Sequence, residues 1–199
     1  MSEPRKKTEG VQAKHMDTIR QTNRPRGGVL LLGDSLTERL FTDGKARLID
    51  LTKRNVFVAG CGGDNIQNTC WRVEEGIVRA TGAEHVIVFI GTNNIGSTPL
   101  DDFRPLYINL LAAIRRDAPS ARISCLGVCG RSDLGSDQLH LEYVESVNVV
   151  QKQVCDEFGV EFHSPFIERY ERELFKDHIH FSPRGFDRMV NYIISIVKR

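Results

Sequence analysis

The stretch GGVLLLGDSLTERL, residues 27–40, decides how this chain is read. Val29–Leu32 is a run of aliphatics of the kind that is buried on both faces of a sheet. It stops abruptly at Gly33-Asp34-Ser35. One reading of the stop is a capped turn, in which Gly33 bends the chain, Ser35 caps a helix beginning at Leu36, and Glu38 completes a capping box. The other is chemical: a serine stands at the carboxyl end of a strand, where open α/β sheets bind their ligands.

Beyond this stretch, short apolar runs recur at Val56–Ala59, His85–Ile90 and Ile123–Val128, with a weaker one at Val160–His163. Helical periods lie between them. Ile66, Cys70, Val73 and Ile77 share one face, as do Phe103, Leu106, Leu110 and Ile114. A third face carries Tyr143, Val147, Val150, Val154 and Phe158, and a last one Phe186, Met189, Val190, Ile193, Ile194 and Val197. Strands that alternate with helices predict a parallel sheet covered on both sides, a three-layer α/β/α sandwich of about five strands.

The totals agree with one domain. The chain has 199 residues, 40% hydrophobic and 27% charged, with a net charge of +1. That balance argues against a nucleic-acid binder. Residues 1–26 carry seven Lys or Arg against three acidic residues and read as a flexible basic N-terminal tail, with a short helix around Val11–Ile19. No segment approaches the roughly 20 apolar residues that cross a bilayer. No apolar stretch before Val29 reads as a secretory signal. Cys61, Cys70, Cys125, Cys129 and Cys155 form an odd set without zinc spacing, so reduced thiols in a cytoplasmic protein are expected.

The predicted strand ends deliver a short list of polar groups. They are Gly33-Asp34-Ser35, then Gly60 through Asn65, then Gly91-Thr92-Asn93-Asn94, then Cys129-Gly130-Arg131. Acyl transfer by a serine needs a hydroxyl, a base and donors for the oxyanion. Ser35 supplies the first. Gly63 offers a backbone N–H that substrate can approach closely, the Asn93 amide offers another donor, and Ser35 N–H at a helix start a third.

Among the histidines, His15 lies in the tail, His85 opens a strand, His140 begins a helix and His163 ends the weak strand. His178 has no suitably spaced carboxylate of its own. His180 follows Asp177 by three residues, a turn that can fold the carboxylate back onto Nδ1 and leave Nε2 for Ser35. His178 and His180 also have the spacing of a metal pair, without an evident third ligand.

Gly33-Asp34-Ser35-Leu36, Gly63 within Ala-Gly-Cys-Gly-Gly-Asp, Gly91-Thr92-Asn93-Asn94 and Asp177-x-x-His180 occur in that order. Together they resemble the four blocks of the SGNH or GDSL hydrolase superfamily, over residues 28–198. The Gly-rich loop with Trp71-Arg72 on the following helix is also similar to the catalytic subunits of intracellular platelet-activating-factor acetylhydrolase. The resemblance implies a flavodoxin-like SGNH hydrolase domain over 27–199. It further implies Ser35 as nucleophile, His180 as base and Asp177 as its orienter, with Ser35, Gly63 and Asn93 lining the oxyanion hole. No cofactor is implied. Trp71 is equally a core-packing residue. The commonest third block is Gly-x-Asn-Asp, and Asn94 departs from it, though the acetylhydrolase relatives share Asn-Asn. Gly-x-Ser-x-Gly, the elbow of ordinary α/β-hydrolases, is absent.

The expectation is a serine esterase acting on small, short-acyl esters through an acyl-enzyme. A lysophospholipase or thioesterase on the same machinery is the alternative, and a non-catalytic ligand-binding module of flavodoxin type a further one. Arg131, Ser132 and Asp133 read as a polar loop beside the pocket, within a short, lidless connection from Arg131 to Asp137. Arg184 reads as a surface residue at a helix start.

Overall fold

The computed structural model describes residue 17, residues 27–132 and residues 138–198, the side chains of 138–140 excepted. The expected basic tail and the short helix expected within it, like residues 133–137, therefore lie outside the described residues, apart from Asp17. From Val29 the elements are β1 (Val29–Gly33), α1 (Ser35–Glu38), α2 (Lys45–Thr52), β2 (Val56–Gly60), α3 (Ile66–Glu74) and α4 (Ile77–Thr81). There follow β3 (His85–Phe89), α5 (Leu100–Asp117), β4 (Arg122–Leu126), α6 (Gln138–Phe158), β5 (Glu161–His163) and α7 (Pro183–Val197).

The strands form one five-stranded sheet in the order β2-β1-β3-β4-β5, with every pair parallel. The predicted strands and sandwich are present. Side-chain alternation divides the core. Leu30, Leu32, Val86 and Val88 face the layer of α3, α4, α5 and α6, where Ile66, Ile77, Phe103, Leu110 and Val147 are buried. Val29, Leu31, Ile87 and Phe89 face the opposite layer, where Leu51 of α2 and Phe186, Met189, Val190 and Ile193 of α7 are buried.

Two local readings change. The periodic face through Ile66 and Ile77 belongs to two helices, because Gly76 adopts φ +98° between them and breaks the run. The cap of α1 is Asp34, not Ser35. The Asp34 carboxylate accepts from the Leu36 amide at 2.9 Å, and Ser35 is the first helical residue. The expected Ser35–Glu38 capping box therefore gives way to an Asp34 cap, which leaves the serine hydroxyl uncommitted to the helix.

The opposite end of the sheet holds a polar cluster that ties edge strand β5 to its neighbours. His85 Nε2 lies 2.9 Å from Ser124 Oγ, and Ser124 donates to Glu161 at 3.2 Å. Arg122 meets both Glu161 oxygens, at 2.7 and 2.6 Å. With the Ser124 hydroxyl turned towards Glu161, its oxygen accepts from a neutral His85 ring. Burial, reinforced by the Arg122 charge, lowers the His85 pKa from 6.5 to about 4.

The folded state therefore binds this proton less readily than the unfolded chain does. The His85 contribution to stability is whole above about 6.5 and is lost as pH falls towards about 4. We expect thermal melts of the wild type to drop more steeply across that window than those of His85→Gln. Parallel curves would contradict the assignment.

Candidate active site

The site forms where β1, β2 and β3 end. In-register pairing sets Gly33 beside Gly60 on one side and Phe89 on the other. A short helix can start there only if its backbone comes close to the sheet. A Cβ on Gly60 would stand 2.1 Å from the Glu38 nitrogen, and one on Gly33 2.0 Å from Thr37 Oγ1. The two glycines let α1 sit down on the strand ends, with Ser35 in its first turn. The Ser35 amide is among those at a helix start that have no partner within the helix.

Ser35 Oγ lies 3.1 Å from His180 Nε2, across 145 residues of sequence. His180 Nδ1 lies 2.8 Å from Asp177 Oδ2. The other carboxylate oxygen accepts from the amides of Ile179 at 2.9 Å and His180 at 2.7 Å, so the turn is built around Asp177. Burial alone would raise the Asp177 pKa. The His180 and Ile179 amides, with the imidazole, outweigh it and bring the pKa from 3.8 down to about 2. The carboxylate is thus ionised at neutral pH.

The turn itself is pinned. Phe175 and Phe181 pair as an antiparallel bridge, and Lys176 N–H donates to His180 O at 2.7 Å. Phe181 is fully buried, with Phe166, Phe175 and Phe186 at ring separations of 5.5, 5.4 and 5.8 Å. Ser182 then caps α7 by accepting from Gly185 N–H. His180 is held between an anchored aromatic and a helix cap. The side chain nevertheless retains 19% exposure, so the ring is reachable from solvent.

The second strand end is a tight turn. Asp64 N–H donates to Cys61 O at 3.1 Å, Cys61 N–H donates to Gly33 O at 3.0 Å, and Gly63 adopts φ +73°. A Cβ on Gly63 would meet nothing within 4 Å. The glycine is required by its backbone angle, and the space beside it is open. Asn93 Nδ2 donates to Asp64 O at 2.8 Å, which uses one of its two hydrogens.

Asn94, the departure from the commonest third block, is fully buried. Its Oδ1 accepts from Ile66 N–H at 2.9 Å, and its Nδ2 donates to Gln67 Oε1 and Thr98 Oγ1 at 3.0 Å each. It joins the third strand end to the start of α3. An aspartate would offer those partners no donor, so the asparagine matches Gln67 and Thr98 as they stand.

His178 faces away from a shared metal site. Its Nδ1 lies 3.3 Å from Ser132 Oγ, while both His180 nitrogens face Ser35 and Asp177. No group of three His, Cys, Asp or Glu suited to a metal occurs among the described residues. Arg131 donates to Thr92 O, and Arg184 is exposed at the start of α7. Trp71, a core candidate by sequence, is only partly buried, whereas its neighbour Arg72 is 2% exposed. Asn94 and Arg72 are the two site-bordering residues whose contacts the sequence did not disclose.

Residues 31–188 match the GDSL-like lipase/acylhydrolase family. The chain belongs to that family. It is 27% identical over 187 residues to an isoamyl acetate-hydrolyzing esterase of Schizosaccharomyces pombe, across 85% of this chain and 74% of that one. The fold is shared with a Streptococcus pneumonia protein named for platelet activating factor, at TM-score 0.77 and 17% identity over 96% and 93% of the two chains. It is shared also with an acetyl-xylooligosaccharide esterase of Geobacillus stearothermophilus, at TM-score 0.68 and 17% identity over 86% and 94%. The GDSL family member described here is accordingly an esterase by family. Among its described residues no helix is long and apolar enough to cross a membrane.

The Gly63 geometry is directly testable. A non-glycine residue in the left-handed region costs about 1–2 kcal/mol, and no steric penalty accompanies it at this position. Urea denaturation of Gly63→Ala is expected to show a loss of about that size. An unchanged midpoint would contradict the positive φ.

Proposed function

We propose that this GDSL family member is a serine esterase that cleaves small carboxylic esters with short acyl groups through an acyl-enzyme. The observation that carries the proposal is the continuous Ser35–His180–Asp177 chain, with contacts of 3.1 and 2.8 Å. Ser35 Oγ attacks the ester carbonyl carbon while His180 Nε2 takes its proton. The same proton passes to the departing alcohol as the tetrahedral intermediate collapses. His180 then activates water, which releases the acid and frees Ser35.

Asp177 keeps His180 in the tautomer with hydrogen on Nδ1 and stabilises the imidazolium formed at each step. Ser35 N–H, Gly63 N–H and the second Asn93 hydrogen are the donors for the oxyanion. These groups need no metal or organic cofactor for the reaction.

The short-acyl preference is supported by the yeast relative, named for isoamyl acetate, and by the fold neighbour named for acetylated xylo-oligosaccharides. The proposal places the hydrolase domain at 27–199, after a basic tail, in the cytoplasm. None of its five cysteines forms a disulfide, and Cys61, Cys125, Cys129 and Cys155 are buried. The lysophospholipase or thioesterase reading uses the same groups and differs in the substrate, a long-chain acyl ester of a phospholipid in the one and a thioester with a thiol leaving group in the other.

The test is hydrolysis of a series of p-nitrophenyl esters. Wild type is expected to prefer acetate over longer chains, and a reactive organophosphonate is expected to label Ser35. Ser35→Ala and His180→Ala should each lose on the order of 10^4-fold or more in turnover, and Asp177→Asn a similar factor of about 10^4. Undiminished hydrolysis by Ser35→Ala would overturn the mechanism. A preference for long acyl chains would move the assignment to the lysophospholipase reading.

A further inference from the structure

We infer that Arg72, on the buried side of α3, is a positioning residue that holds the oxyanion loop in register with the Ser35 strand end. The inference rests on the function proposed above. Nη1 donates to Asp64 Oδ2 at 2.9 Å and lies 3.4 Å from Gly33 O, while Nη2 donates to Ala59 O at 2.8 Å. One planar fork therefore touches the end of β1, the end of β2 and the residue after Gly63.

Asp64 is held at both of its ends. Arg72 binds its carboxylate, and Asn93 Nδ2 binds its carbonyl oxygen at 2.8 Å. The two candidate oxyanion donors on separate loops, Gly63 N–H and the Asn93 amide, are thereby fixed to a common residue. That residue is in turn fixed to the strand that carries Ser35. A shift of Arg72 would change the angle at which Gly63 N–H faces the oxyanion, without touching the Ser35–His180 contact.

Stability alone accounts poorly for this arrangement. Arg72 and Asp64 are 2% and 0% exposed, and the desolvation of two such charges rivals or exceeds their attraction. An apolar pair of similar volume commonly does as well for folding. What an apolar pair cannot do is orient a loop through directed hydrogen bonds at fixed angles. A lysine cannot either, since its ammonium is a point charge without the guanidinium's rigid fork.

The two roles separate experimentally. Arg72→Lys, Asp64→Asn and the pair variant Arg72→Met/Asp64→Leu are compared with wild type on p-nitrophenyl acetate. Each is assayed at a temperature where circular dichroism shows it folded. We expect kcat to fall about ten- to hundredfold in Arg72→Lys, with KM nearly unchanged and organophosphonate labelling of Ser35 slowed in proportion. Asp64→Asn should fall in the same direction. In the pair variant the melting temperature should recover towards wild type while kcat stays low.

Near-wild-type kcat in folded Arg72→Lys or Asp64→Asn would overturn the inference. So would recovery of kcat together with melting temperature in the pair variant. Failure of the underlying reading looks different: Ser35→Ala would then retain hydrolysis, and the inference would fall with it.

Discussion

Everything at this site depends on the in-register parallel pairing of β1 with both β2 and β3. That pairing brings Gly33, Gly60 and Phe89 to one line at the carboxyl edge of the sheet. The strands are nearly featureless aliphatic runs, and their register is set by two buried faces: a slip by one residue would exchange them. Their ends carry the polar groups of the candidate site. Ser35, Gly63 and Asn93 each lie a few residues past a strand, so the sheet fixes their spacing before any side chain contributes.

On this platform the fold adds short-range devices. Asp34 caps α1 and frees Ser35, while Gly33 and Gly60 let the helix approach the strands. The Asp177 turn and the buried Phe181 ring bring His180 to Ser35 from the far end of the chain. Arg72, Asn93 and Asn94 bind the loops to one another. Most of these contacts are buried or rooted in backbone, which favours a site that is set in advance of substrate. That is the condition under which fixed dipoles lower a barrier without reorganising.

Much of this was legible in the residue pattern. Continuous apolar runs between amphipathic periods leave little choice but a covered parallel sheet, and polar clusters at strand ends mark the side on which ligands bind. The three-residue step from Asp177 to His180 is local, so sequence alone suggests their contact. The Asp34 cap was not legible, because aspartate and serine cap about equally well. The partner that Ser35 faces instead, His180, lies 145 residues away in sequence.

Arg72 was hidden for a different reason. Periodicity registers apolar residues, while the buried arc of α3 includes Asn68, Thr69 and Arg72. The available signal was Asp64, a carboxylate in the preceding loop able to accompany a cation indoors. Asn94 shows a related limit. Its exchange for the usual aspartate becomes intelligible only with Gln67 and Thr98 in place around it.

The most direct measurement of the central claim is a crystal structure of the protein after reaction with an organophosphonate, whose tetrahedral phosphorus imitates the ester intermediate. The account predicts phosphorus bonded to Ser35 Oγ, with its oxygen within hydrogen-bond reach of the Ser35 and Gly63 amides and Asn93 Nδ2. An adduct on another residue, or an oxygen turned away from all three donors, would contradict it.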